Sequence, residues 1–212
     1  MNEPSLFDKI FREANTKVSE AILNGEQSVY IPITVKQTSP AYLAIDPGKS
    51  GGLTVMHNGE LVFKGIMPIS GDNLDIKALY DLITSLTSDY LLTVVIEDVH
   101  SIFGSSAGSN FTFGFVCGAI EAVVVSCKLK LIKVQPKTWQ KEVWSNSDKC
   151  YKPKKPNQKN ASIDTKLTSL NCAKRLFPNF DFRKSDSARV TKEHDGIVDS
   201  ALMCEYARIK NL

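Results

Sequence analysis

The sequence predicts an α/β fold: a mixed five-stranded sheet flanked by helices, preceded by an N-terminal helical extension. Three observations predict it. Asn58-Gly59 lies between two strand-like runs, 51–57 and 60–66. Such a pair signals a hairpin, because both turn positions need positive φ. Residues 91–97, LLTVVIE, are apolar and β-branched, which suits a strand covered on both faces. From residue 74 onward helix-period segments alternate with strand-like runs, and parallel strands need such crossovers.

The elements follow in order. Residues 5–23 place Leu6, Ile10, Phe11, Val18, Ala21 and Ile22 at helical spacing. Residues 24–40 contain Gly25 and Pro32 and read as a connector with a short strand at 29–35. The expected division is therefore 1–40, extension and connector, and 41–212, the main domain. YLAID at 42–46 is a short buried strand that ends in a carboxylate. After the hairpin, 74–87 has helical periodicity, and 91–97 is the next strand. GSSAGSN at 104–110 reads as a loop. The helix 111–126 carries the small residues Gly114, Gly118, Ala119 and Ala122, which allow close packing. A strand at 129–134 follows, and Pro136 stands where proline opens a helix. The lysine-rich stretch 145–160 holds two prolines and reads as a mobile loop. Residues 163–176 and 193–209 are the last helices. Trp139 and Trp144 read as core.

Composition narrows the function classes. Of 212 residues, 42% are hydrophobic and 23% charged, which excludes a wholly disordered or fibrous chain. No stretch approaches the roughly 20 apolar residues of a membrane span, since the run at 117–127 is broken by Gly118, Glu121 and Ser126. No membrane association is expected. The N-terminus lacks a basic region followed by an apolar one, so no secretory signal is expected. Five cysteines without a C-x-x-C pair read as reduced thiols of a cytoplasmic protein. Three scattered histidines argue against zinc. The net charge is +3, but 128–192 holds 17 basic against 5 acidic residues, and the rest 9 against 18. A polyanion partner and a separate task for the acids follow from that asymmetry.

Four acids stand out. Asp46 and Glu97 close strand-like runs, and Asp195 and Asp199 lie four apart on one helix face. Unpaired buried carboxylates are costly, and acids held together need cations. Oxygen donors select Mg²⁺ or Mn²⁺, and a pair of such ions serves phosphodiester hydrolysis. Plainer readings exist: Asp46 as a turn opener, Glu97 as a solvent-facing strand end, Asp195 as a partner of the helix dipole. His194 reads as a surface or capping residue or as an assistant to the acids.

YLAIDPGKSGGLTVM, VVIEDVHSIFGSSAGSNFTFGFVCGAIEAV, VQPKTWQK and HDGIVDSALMCEYA together resemble the RuvC-like Holliday-junction resolvases, especially their compact phage-type members. The resemblance covers about residues 41–209. It implies a ribonuclease H-like fold and a homodimer acting on four-way DNA junctions. It also implies two Mg²⁺ or Mn²⁺ ions per site and symmetric nicks ending in 5′-phosphate and 3′-hydroxyl. By position it assigns Asp46, Glu97, Asp195 and Asp199 as catalytic metal ligands, with His194 as a candidate assistant. Bacterial members space the last pair by three, whereas this chain spaces it by four and has Gly196 at the intervening place. Their aromatic wedge three residues after the glutamate is replaced by His100, with Phe103 and Phe111 further on.

The DNA-binding candidates are Lys49 beside the first acid, Ser105, Ser106 and Asn110 in the glycine-rich segment, Lys137 and Lys141 one turn apart, and Lys152, Lys154 and Lys155. The apolar face of 111–126 is the candidate dimer interface. The setting implied is recombination, repair or processing of branched DNA in the cytoplasm of a phage-infected bacterium. The rivals are a flap or fork nuclease with broader branch preference, a non-catalytic junction-binding module, and a phosphotransferase of the actin and sugar-kinase type. The last shares the turn Asp46-Pro47-Gly48-Lys49-Ser50 but needs two such domains, and 212 residues are too few.

Overall fold

A hairpin starts the order of the sheet. In the computed structural model, which describes residues 39–98, 106–154 and 159–212, β2 (Gly52–His57) and β3 (Glu60–Ile66) pair antiparallel. Asn58 and Gly59 join them with φ of 51° and 83°, the doubly positive turn expected of that dipeptide. β1 (Ser39–Ile45) pairs antiparallel with β2 and parallel with β6 (Tyr90–Glu97). β7 (Lys130–Val134) adds a parallel edge. The sheet order is β3-β2-β1-β6-β7, the mixed five-stranded sheet that the sequence predicts. A two-residue hairpin, β4 (Ile69–Ser70) with β5 (Asn73–Leu74), was not anticipated, because elements this short carry no period.

Helices cover both faces. α1 (Ile76–Thr87) is capped by Asp75, and α2 (Ala107–Ser126) by Ser106. Their apolar sides pack with Leu43, Ile45, Val94 and Ile96 in one core. α3 (Pro136–Val143), α4 (Thr165–Leu176) and α5 (Asp195–Lys210) cover the other face. There they enclose Ala44, Val95, Val134 and Trp139. Alternate residues of β1 and β6 thus feed opposite cores, as a period of two requires. α5 is buried on nearly all sides from Gly196 to Ala207, and buried polar groups stitch it to the sheet. Thr54 Oγ1 and Ser200 Oγ are 2.6 Å apart, and Cys204 Sγ donates to the Thr54 carbonyl.

Three expectations need correction. α2 begins at Ala107, so Gly108, Ser109 and Asn110 form its first turn and not a loop. The Ser106 hydroxyl supplies the cap by accepting from Ser109 N. The stretch 145–160 is not loose at its described ends. Asn146–Asp148 forms a 3₁₀ turn, buried Asp148 accepts from Arg175 at 2.7 and 2.8 Å, and Tyr151 bridges to Ile163. That guanidinium holds the Asp148 carboxyl well below the usual range. Finally, α2 is one helix among the described residues long and apolar enough, by length and composition, to cross a membrane. Its Glu121 nonetheless pairs with Lys133 at 2.5 Å, and Val116, Ile120, Val123 and Val124 are buried against the sheet. The N-terminal helix and connector, His100, Phe103, Ser105 and Lys155 lie outside the described residues.

Candidate active site

Strand register brings the first two acids together. Ile45 lies opposite Ile96 on the parallel pair β1–β6, so Asp46 and Glu97 follow at the same level on neighbouring chains. Ile45 and Ile96 face the α1–α2 core, so the acids fall on the side covered by α3, α4 and α5. Glu97 is also in register with Val134, and the chain then turns into α3 at Pro136. Trp139, fully buried in that helix, donates from Nε1 to Glu97 Oε1 at 3.0 Å.

Glycines bring in the other pair. Gly51 and Gly196 form a backbone bridge, so the start of α5 lies against the turn after Asp46. A Cβ on Gly196 would stand 2.6 Å from Gly51 C and Gly52 N and 2.7 Å from Ser50 O. No side chain fits there. The altered spacing of the acids thus has a steric reason: the place three before Asp199 faces backbone. Asp195, one residue earlier, opens the helix on the face of Asp199.

The electrostatics show that all four acids share one region. Burial raises the Asp46 carboxyl well above the ordinary value, and the charges of Asp199, Glu97 and Asp195 raise it further. Asp199 is pushed up to about 7, by burial first and then by Glu97 and Asp195, against a lowering hydrogen bond from Ser169. Burial raises Glu97, and the Trp139 bond opposes it. Lys166 on α4 pairs with Asp195 at 2.5 Å and lowers both Asp46 and Asp199. It is a cation within the acid group that sequence reasoning passed over, and its place one residue past the start of a helix was the available signal. His194 precedes α5, half-buried, with Nδ1 enclosed and unpaired among the described residues. Burial lowers its pKa, and its charged neighbours are Asp195 and Lys184, not the other three acids.

A metal would suit this donor set. Asp46 and Asp199 are raised by burial and then by the neighbouring acids for lack of positive charge, and oxygen donors of this kind take Mg²⁺ or Mn²⁺. Among the described residues no three of His, Cys, Asp and Glu stand together closely enough to hold one ion. Asp46, Glu97, Asp195 and Asp199 are the residues that would hold such an ion, and it would supply the positive charge that Lys166 alone now brings to the group.

Trp139→Phe tests the support of Glu97. The variant keeps an aromatic core residue but removes the indole donor. It should lose about 2 kcal/mol in urea unfolding, because a buried charged acceptor loses its partner. The Glu97 carboxyl should titrate higher by NMR. Unchanged values would show that the hydrogen bond does not support the acid.

The basic candidates are placed more unevenly. Lys137 and Lys141 are exposed and share a hollow of about 250 Å³ with Trp144 and Lys149. Lys49, Ser106 and Ser109 line another, of about 510 Å³, between the Asp46 turn and the start of α2. Lys49 pairs there with Asp72 at 3.0 Å. Asn110 lies in the first turn of α2, and Lys152 and Lys154 are exposed beyond the Tyr151 bridge.

The fold is a mixed five-stranded sheet with Asp46 and Glu97 at the carboxyl ends of its adjacent parallel strands. Solved structures bear the fold out. One, the Thermus thermophilus RuvC in complex with a Holliday junction substrate, has a TM-score of 0.52 and 9% identity, covering 81% of this chain and 94% of that one. A second structure of Thermus thermophilus RuvC has a TM-score of 0.51 and 12% identity, covering 81% and 96%. The chain is RuvC-like in fold. No family model and no curated protein sequence matches it.

Proposed function

We propose that this protein is a structure-selective endodeoxyribonuclease that resolves four-way DNA junctions as a homodimer. The observation that carries the reading is the convergence of Asp46, Glu97, Asp195 and Asp199 in a fold shared with a junction-bound RuvC. The four carboxylates would hold two Mg²⁺ or Mn²⁺ ions, which supply positive charge to the phosphate and lower the pKa of a water. Water adds to phosphorus and the bond to the 3′-oxygen breaks, which leaves a 5′-phosphate and a 3′-hydroxyl. Asp46 from the sheet side and Asp199 from the helix side would hold the cations that attract the reacting phosphate. Trp139 fixes Glu97, and Lys166 balances charge until DNA and metal arrive. Lys137, Lys141, Lys152 and Lys154 give the basic flank along which phosphates lie.

Two symmetric incisions need two sites related by a two-fold axis, and α2 offers the contact. Phe111, Phe115, Gly118, Ala122 and Val125 are all exposed and recur at steps of four and three, the seam of paired helices. A Cβ at Gly114 or Gly118 would meet nothing within 4 Å, so packing within the protomer does not explain these glycines. A second copy of α2 approaching closely would. Phe115→Glu should convert the dimer to a monomer in sedimentation analysis, and paired incisions to single nicks at lower rate. A monomeric wild type would remove the interface.

The deciding experiment is cleavage of a labelled four-way junction with Mg²⁺ or Mn²⁺, beside duplex, flap and fork controls. Paired symmetric nicks confined to the junction are expected. Equal cutting of flaps or forks would keep the chemistry and replace the substrate. Binding without cutting would make this a junction-binding module.

A further inference from the structure

The segment between α4 and α5 is built and held at both ends, yet the acid site uses none of it. Arg183 donates three hydrogen bonds to Asp181 at 2.9–3.0 Å and a fourth to the Val190 carbonyl. Lys64 on β3 reaches Asp181 and Asp186 at 3.2 Å. Arg183 bridges to Glu193, and His194 N donates to the Phe182 carbonyl. A cavity of about 480 Å³ opens beside this segment, lined by Lys184, Arg189 and Lys192 together with Glu193, His194 and Asp195, and bordered by Ser50.

Its charge is unbalanced. The nearby acids are matched: Glu193 by Lys174, Asp195 by Lys166, Asp186 by Lys64. Lys184, Arg189 and Lys192 are exposed, and no ion pair involves them among the described residues. With Glu193 and Asp195 already paired to Lys174 and Lys166, the three remaining cations around the hollow favour an anion. The one ring in its lining is the half-buried His194 imidazole, so the exposed side chains that face the hollow are chiefly cationic. Ser50 belongs to the turn after Asp46, and Asp195 is one of the four acids. The hollow is thus contiguous with the acid cluster.

We propose that this cavity holds a backbone phosphate of the DNA strand, next to the phosphodiester presented to the acids. The assignment deepens the nuclease reading and rests on it for the identity of the ligand as DNA. Lys184, Arg189 and Lys192 position the strand and touch no reacting atom.

The test is the salt dependence of binding to a labelled four-way junction without divalent metal, for wild type and for K184Q/R189Q/K192Q. A control, K128Q/K130Q, changes cations where β7 begins, at the end of the sheet away from the acids. All five side chains project from the surface or from a loop, and matching thermal melts confirm folding. Loss of one phosphate contact should make the slope of log K against log salt shallower by about one. Affinity near 0.15 M salt should fall roughly fivefold to tenfold, with the control unchanged. An unchanged slope and affinity in the triple variant, or an equal loss in the control, overturns the site. If wild type binds with the expected difference but never cuts with Mg²⁺ or Mn²⁺, the cavity stands and the nuclease reading falls. If wild type cuts junctions and the slopes agree, the cavity alone falls. Failure of wild type to bind DNA removes both.

Discussion

Asp46→Asn should abolish junction cleavage while raising the stability of the metal-free protein. Cleavage should fall by at least about 10³-fold, because the residue sits at the centre of the acid group and each of the other three acids raises its pKa. Stability moves the other way for the same reason. A carboxylate desolvated among like charges is disfavoured in the folded state, and the neutral amide removes that penalty. The gain should be roughly 2 kcal/mol, or about 4–8 °C in melting temperature. Junction affinity in the absence of metal should be retained.

The pH dependence has a definite sign. The folded-state values of Asp46 and Asp199 lie above the unfolded value near 3.9, so the folded state binds more protons than the unfolded one. Their penalty is absent below about pH 4 and grows as pH rises through the Asp199 value of about 7. Metal-free wild type should therefore melt lower at pH 7.5 than at pH 5.5, and Asp46→Asn should flatten that difference. Added Mg²⁺ or Mn²⁺ should raise the melting temperature at pH 7.5, by binding the folded state alone. Calorimetry across pH, with and without metal, measures all three. A variant that cuts like wild type, or a wild type whose stability rises with pH without metal, would show that the acids do not form one site.

Much of this arrangement was legible in the sequence, for reasons that differ by element. The hairpin was readable because Asn58-Gly59 needs a conformation few other residues adopt, and the strands at 42–46 and 91–97 because burial on both faces leaves an apolar run. Asp46 and Glu97 could be paired on paper once the strands at 42–46 and 91–97 were taken as neighbours. The parallel register of Ile45 with Ile96 then does the rest. Long-range partners were not legible. Nothing local marks Trp139 as the donor to Glu97, since a buried tryptophan has the same sequence signature whatever its indole nitrogen meets. Asp148 looked like part of a loose lysine-rich stretch, because its partner Arg175 lies a helix away. The start of α2 was set four residues late because glycine and serine resemble a loop, although Ser106 caps a helix there. Lys166 escaped notice for the opposite reason: in a lysine-rich region one more lysine is unremarkable until its neighbours are known.

Gly196→Ala should be strongly damaging for a single added methyl. The added carbon would stand 2.6 Å from two backbone atoms of the Gly51-Gly52 turn and 2.7 Å from the Ser50 carbonyl oxygen. Backbone cannot rotate away as a side-chain end can, so α5 or the turn must move. Both are tied down. Thr54 bonds Ser200, Cys204 bonds the carbonyls of Tyr42 and Thr54, and Asp46 N bonds the Gly52 carbonyl at 2.9 Å. Overpacking against fixed backbone should cost roughly 3 kcal/mol or more, seen in urea unfolding. Where the fold survives, the helix start is displaced and Asp195 and Asp199 move from Asp46 with it. Cleavage should then be lost beyond what the melting shift explains, since a displacement near 1 Å disrupts a positioned site. Assay well below the melting temperature separates the two effects. Wild-type melting and wild-type cleavage together would mean that the contact between Gly196 and the Gly51-Gly52 turn does not hold the acids in place. A folded variant that binds junction DNA but no longer cuts would identify this glycine contact as the joint that aligns sheet and helix.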